Sequence, residues 1–276
     1  METFDIIKEA FVFPADDITK LAIYIALTLV CGFLAVGGIA LIVLGAIDNT
    51  LALVLGILLF VFALIICFIL SGYQISIIKS GIDHTYDVPE FNWKGNFITG
   101  IKNLIVTIVY FIIPAIVVLI VSWATNLFGQ SRDIFLKIMY ASINAPANAT
   151  VDVSSVVPHS AFVSLGTAMI ITGIVAVMMF IIFAFIHTMG ESRLANTDSL
   201  GDALYIVEAF KDIGRIGYGK VIAVVILIFV IIAVINIVLT GLNNYIGGIG
   251  ILSIVITPYL IFFASRATGL LYSDIV

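Results

Sequence analysis

The sequence is poor in charged residues. Asp, Glu, Lys and Arg make up 11% of its 276 residues, whereas hydrophobic residues make up 62%. A soluble domain carries roughly 25% charged residues. The composition therefore excludes a water-soluble globular protein. There is also no basic tail or patch, so we expect no nucleic acid among its partners.

The sequence also lacks the motifs of common catalytic and metal sites. The three histidines, His84, His159 and His187, are far apart, and none has a second His or Cys at metal-ligand spacing. Cys31 and Cys67 lie inside apolar runs and are expected to be buried thiols that act as small hydrophobes. A glycine-rich phosphate loop, a nucleophile elbow and an HExxH motif are all missing. We therefore expect no catalytic residues, cofactor or metal.

Long apolar runs dominate the chain. A helix of about 20 residues crosses a hydrocarbon core of about 30 Å. Six such runs predict an all-α polytopic membrane protein, with six transmembrane helices arranged as three hairpins in a single membrane domain over residues 1–276. The predicted spans are residues 21–47, 51–78, 103–122, 161–187, 221–242 and 249–271.

Small residues and prolines inside these runs predict details of helix packing. Gly32, Gly37 and Gly38 leave room for a neighbouring helix to approach the first span closely. Pro114 in the third span and Pro258 in the sixth are expected to bend their helices, since each proline removes a backbone hydrogen bond.

The distribution of Lys and Arg predicts the orientation. Ten of the twelve lie in the tails, segments and span ends on one side, whereas Arg132 and Lys137 lie in the long loop over residues 126–160. Basic residues accumulate on the cytoplasmic side of membrane proteins. We therefore expect cytoplasmic segments at residues 1–20, 79–102 and 189–220, with both termini in the cytoplasm and the protein in the cell membrane.

The most charged stretch, residues 189–220, predicts an amphipathic helix lying at the cytoplasmic membrane surface. Ser199 is a suitable N-cap, with Asp202 at the third helical position. One half of the helical wheel is apolar and contains Leu200, Ala203, Leu204, Ile206, Val207, Phe210 and Ile213. The other half contains Asp202, Tyr205, Glu208 and Asp212.

Two further short surface helices are expected. Phe4, Ile7 and Phe11 share one face of the N-terminal segment, which Pro14 ends. In the outer loop, Ile134, Phe135, Ile138 and Met139 suggest one helix, and a loop follows it. That loop contains Asn148 in an N-glycosylation acceptor pattern, which is short and common by chance.

Ionisable residues are missing from the centres of the predicted spans, with Arg266 near a span end as the exception that we expect to snorkel to the surface. Many ion-coupled carriers use intramembrane carboxylates, so their absence argues against that class. The best polar candidates inside the spans are Asn236, Thr240, Tyr110 and Thr107. We expect these four to form hydrogen bonds between helices, with a solute-binding site as the alternative.

Several short runs resemble one family of multipass proteins of unknown function, DUF4013. They are Ser71-Gly72-Tyr73, Val88–Trp93, Gly100-Ile101-Lys102, the spacing from Tyr110 to Pro114, Arg193-Leu194-Ala195, Ala203-Leu204 and Arg215–Gly219. The resemblance covers roughly residues 15–272. It implies a six-span membrane protein of a kind frequent in methanogenic archaea, and it implies no activity.

Three functional hypotheses follow. The first is a non-enzymatic membrane protein that is structural, lipid-interacting or complex-assembling, whose partners are membrane lipids and either another protein or further copies of itself. The second is a transporter or channel for a small or amphiphilic solute. The third is an enzyme with a metal held by Asp83, His84, Asp87 and Glu90, whose spacing matches no ligand pattern. We expect those four residues to form a solvated charged loop instead.

Overall fold

The chain is an all-α polytopic membrane protein. The computed structural model describes residues 1–146, 150–246 and 248–276, without the side chains of Asp48 and Ile249, and these residues contain no β-strand. Its helices are α1 (Thr3–Val12), α2 (Ile18–Asp48), α3 (Thr50–Ile82), α4 (Trp93–Ala124), α5 (Leu127–Asn144), α6 (Val153–Val156), α7 (His159–Thr197), α8 (Leu200–Ala203), α9 (Ile206–Ile216), α10 (Tyr218–Tyr245) and α11 (Ser253–Tyr272). Short 3-10 turns lie at Phe13–Ala15, Ile249–Leu252 and Ser273–Ile275. Six helices, α2, α3, α4, α7, α10 and α11, are long and apolar enough to cross a membrane.

Two of these helices extend well past the predicted spans. Helix α4 begins at Trp93 and not at residue 103, and α7 ends at Thr197 and not at residue 187. The added turns carry polar residues, which lower hydropathy without breaking a helix. Helices α4 and α11 also continue through Pro114 and Pro258.

The chain forms two compact units. Unit 1 contains Met1–Ile108 and Phe185–Val276, and unit 2 contains Val109–Ala184. The single membrane domain over residues 1–276 stays a prediction.

In unit 1, α2 and α3 form a hairpin with close backbone contact. The Asn49 side chain caps α3 by accepting a hydrogen bond from the Ala52 amide at 3.1 Å. A Cβ atom at Gly38 would lie 2.9 Å from the Gly56 carbonyl oxygen, and one at Gly45 would overlap the Leu53 backbone. The prediction for Gly32 and Gly37 was wrong, because an added Cβ at either position meets nothing within 4 Å.

Two more glycines let α3 pack closely against α4 and α11. A Cβ at Gly72 would overlap the carbonyl of Asn96 on α4. On the side of α11, a Cβ at Gly81 would lie 2.8 Å from the Cα of Gly269. Side chains at these positions would push the helices apart, so glycine is what allows the contact.

The N-terminal helix packs lengthwise against α11. The Phe11 ring contacts Tyr259 and Phe263 at centroid distances of 5.7 and 5.6 Å, and the Met1 amino group lies 3.1 Å from an oxygen of Asp274. Helix α1 therefore runs antiparallel to α11, with Phe11 more than two turns from the Asp274 end. The sequence predicted a surface helix and did not show this contact.

Unit 2 contains the long connection over residues 126–160, for which the sequence predicted a position outside the cytoplasm. Helix α5 is longer than predicted, and it buries Ile134 while Phe135 is exposed. The Phe111 and Phe180 rings stack at a centroid distance of 5.9 Å, and the hydroxyls of Thr125 and Thr172 lie 3.4 Å apart. The predicted acceptor Asn148 lies outside the described residues.

Candidate functional site

The predicted amphipathic helix of residues 189–220 is divided into two. Ser199 caps α8 as predicted, because its hydroxyl accepts a hydrogen bond from the Asp202 amide at 3.3 Å. The helix then breaks at Leu204 and Tyr205, and α9 begins at Ile206. Gly217 ends α9 with a φ angle of 108°, a conformation that glycine adopts readily.

Asp212 anchors the inner face of α9. Its side chain is 1% exposed, and its oxygens lie 2.8 Å from Arg193 of α7 and 2.7 Å from Arg215. The Tyr272 hydroxyl of α11 donates a third hydrogen bond at 3.1 Å. The assignment of Asp212 to the polar, outward half of the helix was therefore wrong, because two arginines and a tyrosine replace the water it would otherwise need.

The outer face of α9 is both apolar and charged. Val207 is 63% exposed and Phe210 47%, and the Tyr218 ring lies 6.3 Å from that of Phe210. Beside this stripe, Glu208 accepts hydrogen bonds from Lys211 at 2.6 Å and from Arg215 at 3.2 Å. The bond from Lys211 lowers the pKa of the Glu208 carboxyl. Helix α9 therefore has a protein face, an apolar face and a charged flank.

Arg266 forms a second buried ionic cluster in unit 1. Its side chain is 1% exposed, and it donates to Glu9 of α1 at 2.7 Å and to the Thr85 carbonyl at 2.7 Å. It also lies over the Phe13 ring, with its Cζ 4.7 Å from the centroid. The prediction that Arg266 snorkels to the surface was wrong, because α1 brings a carboxylate to it.

Other ion pairs join further elements of unit 1. The Lys20 amino group lies 2.9 Å from Glu90 and 2.6 Å from the Val88 carbonyl oxygen, which ties α2 to the loop before α4. Two more such pairs are Lys102–Asp198 at 2.8 Å and Lys220–Asp274. Basic residues that served in the sequence only to predict orientation thus connect elements of the fold.

A third polar cluster lies where α7 extends past its predicted span. The Glu191 carboxylate accepts a hydrogen bond from Asn103 at 3.3 Å and lies 3.8 Å from Nδ1 of His187. Asn103, 6% exposed, also donates to the Ser71 hydroxyl at 3.1 Å. The Nε2 atom of His187 lies 3.0 Å from the Thr107 hydroxyl. This cluster joins α3, α4 and α7 within unit 1.

Glu191 was not among the predicted site residues, because hydropathy ended the span at residue 187. The signal was present, since His187 and Glu191 are four residues apart and lie on one helix face. The i, i+4 spacing would have paired them if the helix had been continued.

The four predicted intramembrane polar residues do not share one environment. Thr107 donates to the Asn103 carbonyl and contacts His187. Tyr110 is fully buried. Asn236 donates to the carbonyl of Ile232 in its own helix, and both it and Thr240 are exposed on α10. A solute-binding role for these residues stays a prediction.

The four residues considered as metal ligands and the two cysteines do not form a metal site in the part of the chain that the structure describes. Asp83, His84, Asp87 and Glu90 lie exposed in the connection from α3 to α4, and nowhere in residues 1–146, 150–246 and 248–276 do three or more His, Cys, Asp or Glu side chains form a group that could hold a metal. Cys31 is buried, whereas Cys67 is exposed. Their sulfur atoms lie 2.9 Å apart, which the sequence did not indicate.

Comparison with protein families identifies a match over most of the chain. A family model described as a protein of unknown function, DUF4013, matches residues 54–244, more than half of the chain. Neither the curated proteins nor the solved structures contain a match. The matched range includes Asp212, Glu191 and Asn103.

Proposed function

The chain belongs to the DUF4013 family, whose function is unknown, and on that premise we propose a role from the chemistry of α9. The protein is a non-enzymatic component of the cell membrane that holds α9 at the cytoplasmic leaflet, where the helix binds lipid headgroups and the upper acyl chains. Both termini lie on the same cytoplasmic side. The positive-inside distribution of Lys and Arg supports this orientation.

The outward face of α9 is the observation that carries the proposal. Val207 and Phe210 are exposed on a helix whose opposite side is fixed by the buried Asp212. Exposed apolar side chains beside Lys211 and Arg215 match the two layers that such a helix meets, acyl chains and anionic headgroups. Tyr218 extends the same stripe, and tyrosine is enriched at this depth.

The non-enzymatic part of the proposal rests on how the charged groups are used. In unit 1, Asp212, Arg266 and Lys20 bind side chains or carbonyls of other helices and of the loop between α3 and α4, and so they fix the packing. Charged side chains with such partners hold elements of the fold together, and these three are not gathered around a nucleophilic side chain. We propose lipids as the main partner of α9.

Depth-dependent quenching tests the lipid contact. Val207→Cys is made in a Cys31→Ser, Cys67→Ser background, labelled with an environment-sensitive fluorophore and reconstituted in nanodiscs. Doxyl groups near the lipid headgroup should quench this label, and aqueous iodide should not. A matched label at Gly201→Cys, which is exposed on α8, should show the reverse. If iodide quenches position 207 as strongly as position 201, α9 is not in the membrane and the proposal fails.

A transporter for a small or amphiphilic solute is the second candidate. A cavity beside Glu191, between α3, α7 and α11, favours it. Uptake of solutes into proteoliposomes would separate this function from lipid binding, because only a transporter produces a solute flux.

A further inference from the structure

A partly open cavity of about 190 Å³ lies between three helices of unit 1. Gln74 of α3, Glu191 of α7, and Ser265 and Thr268 of α11 supply its polar groups, and Ile78 and Ile261 line it beside them. Three helices thus bring a carboxylate, an amide and two hydroxyls to one space.

Glu191 has one ion-pair partner among the described residues, the imidazole of His187 at 3.8 Å, and Asn103 donates a hydrogen bond to it. Within the described residues no Lys or Arg nitrogen lies within 4 Å of Glu191, although its side chain is only 24% exposed. A carboxylate that is largely withdrawn from water is costly unless a partner offsets its charge, so Glu191 is a candidate site for a positively charged ligand.

The other groups around the cavity present oxygen atoms. The Gln74 amide donates its nitrogen to the Tyr24 hydroxyl at 2.9 Å, which leaves its carbonyl oxygen as an acceptor. The hydroxyls of Ser265 and Thr268 donate no hydrogen bond in the part of the chain that the structure describes, unlike Thr107, which donates to the carbonyl four residues earlier. Hydroxyls, amides and carboxylates are the ligands that hard cations prefer.

The Asn103 side chain orients the Glu191 carboxylate by donating a hydrogen bond to it. Its nitrogen donates to both Ser71 and Glu191, and its oxygen is buried without a hydrogen-bond partner. A buried amide that is only partly satisfied costs stability. This loss of stability is typical of a residue whose role is to position another side chain.

From these observations we propose that the cavity binds a small monovalent cation, an alkali metal ion or ammonium, with Glu191 as its counter-charge. One carboxylate supplies one negative charge, which matches a monovalent ion, whereas divalent sites usually gather several carboxylates. The volume exceeds that of one water molecule, about 30 Å³ in the liquid, so the ion retains part of its hydration shell. The site goes beyond the lipid contact of α9 and shares no residue with it.

Thermal unfolding of the purified protein in detergent tests the site. Chlorides of sodium, potassium and ammonium are compared at constant ionic strength with N-methylglucamine chloride. The N-methylglucamine cation is too large to enter the cavity. We expect a saturable rise in Tm with at least one of the small cations, since a ligand that binds only the folded state stabilises it. N-methylglucamine should give none. Equal Tm values in all four salts would overturn the proposal.

Substitutions locate the effect. Glu191→Gln should raise the half-saturating cation concentration at least about tenfold. Glu2→Gln, which neutralises an exposed carboxylate outside the cavity, should leave it unchanged. Thr268→Val removes one oxygen with little change in shape and should weaken binding by a smaller factor, so the test stands even if Glu191→Gln folds poorly.

Two results would reject the assignment of the site. One is a full cation response in Glu191→Gln. The other is an unchanged response in both Thr268→Val and Ser265→Ala. The α9 proposal would survive either result, because quenching at position 207 does not depend on the cavity.

Discussion

Asp212 and Glu191 are two largely buried carboxylates of unit 1 that differ in what surrounds them. Asp212 is 1% exposed and contacts two arginines and a tyrosine. Glu191 contacts an asparagine and a histidine, and it faces a cavity. The first carboxylate has two arginine partners, whereas the second has a histidine as its one ion-pair partner among the described residues.

This difference separates structural ion pairs from a candidate binding site. A buried charge with matched partners holds elements together, and removing one partner leaves the others uncompensated. A buried charge that the protein leaves unmatched is expected to be neutralised by a proton or by a bound cation. Burial alone therefore does not tell the two roles apart, but the identity of the partners does.

The largest effect is expected from Asp212→Asn. The substitution leaves Arg193, whose side chain is 17% exposed, without its anionic partner. We expect the free energy of unfolding to fall by about 3 kcal/mol. Glu191→Gln should change it by less than about 1 kcal/mol, because its one ion-pair partner among the described residues is His187, at the longer distance of 3.8 Å. Denaturant titration of both variants in the same detergent, without small cations, measures the contrast. Equal losses would show that the two carboxylates have the same role.

The Arg266 cluster extends the comparison to α1. Glu9→Gln weakens the carboxylate contact with Arg266 while the Thr85 carbonyl and the Phe13 ring remain. We expect a loss of about 2 kcal/mol, the contribution of one hydrogen bond to a charged group. Hydrogen exchange should accelerate over residues 3–12 before the rest of the chain is affected.

Asp5→Asn is the matched control for Glu9→Gln. Asp5 lies on the same helix and is exposed. Its substitution should leave the free energy of unfolding within about 0.5 kcal/mol of the parent, and the hydrogen-exchange rates of α1 should not change. Faster exchange in α1 of this control would mean that the helix is held by general electrostatics and not by Arg266.

The sequence predicted the features that depend on local patterns. Six apolar runs predicted six helices long enough to span a membrane, and Ser199 was recognised as a cap because its partner amide is three residues away. The family resemblance was confirmed by the match over residues 54–244. Local signals suffice where a residue and its partner are neighbours in the chain.

The features that the sequence did not predict depend on distant partners. Asp212 was placed on the polar half of the helix and not in a buried cluster, because its partners Arg193 and Tyr272 lie 19 and 60 residues away. Arg266 was expected at the surface because Glu9 is 257 residues away. Hydropathy treats each charge as though it were alone in water or lipid, so it assigns to the surface any charge that the fold pairs inside.

The smallest effect concerns the exposed flank of α9, where charge pairs face solvent and differ most from the cluster at Asp212. The hydrogen bond from Lys211 lowers the pKa of Glu208 below its ordinary value of 4.5. A lowered carboxyl pKa favours the folded state above the unfolded pKa, and the stabilisation is lost as pH falls through the folded pKa. The Tm difference between the parent and Glu208→Gln should therefore be constant from neutral pH down to about 5 and be lost at lower pH, as the pH falls through the lowered pKa of Glu208. It should also shrink in 1 M salt, where the screening length falls to about 3 Å. A Tm difference that is independent of both pH and salt would mean that Glu208 acts through packing. In that case Lys211→Met, which removes the hydrogen bond but keeps an unbranched side chain, would have the same Tm as the parent.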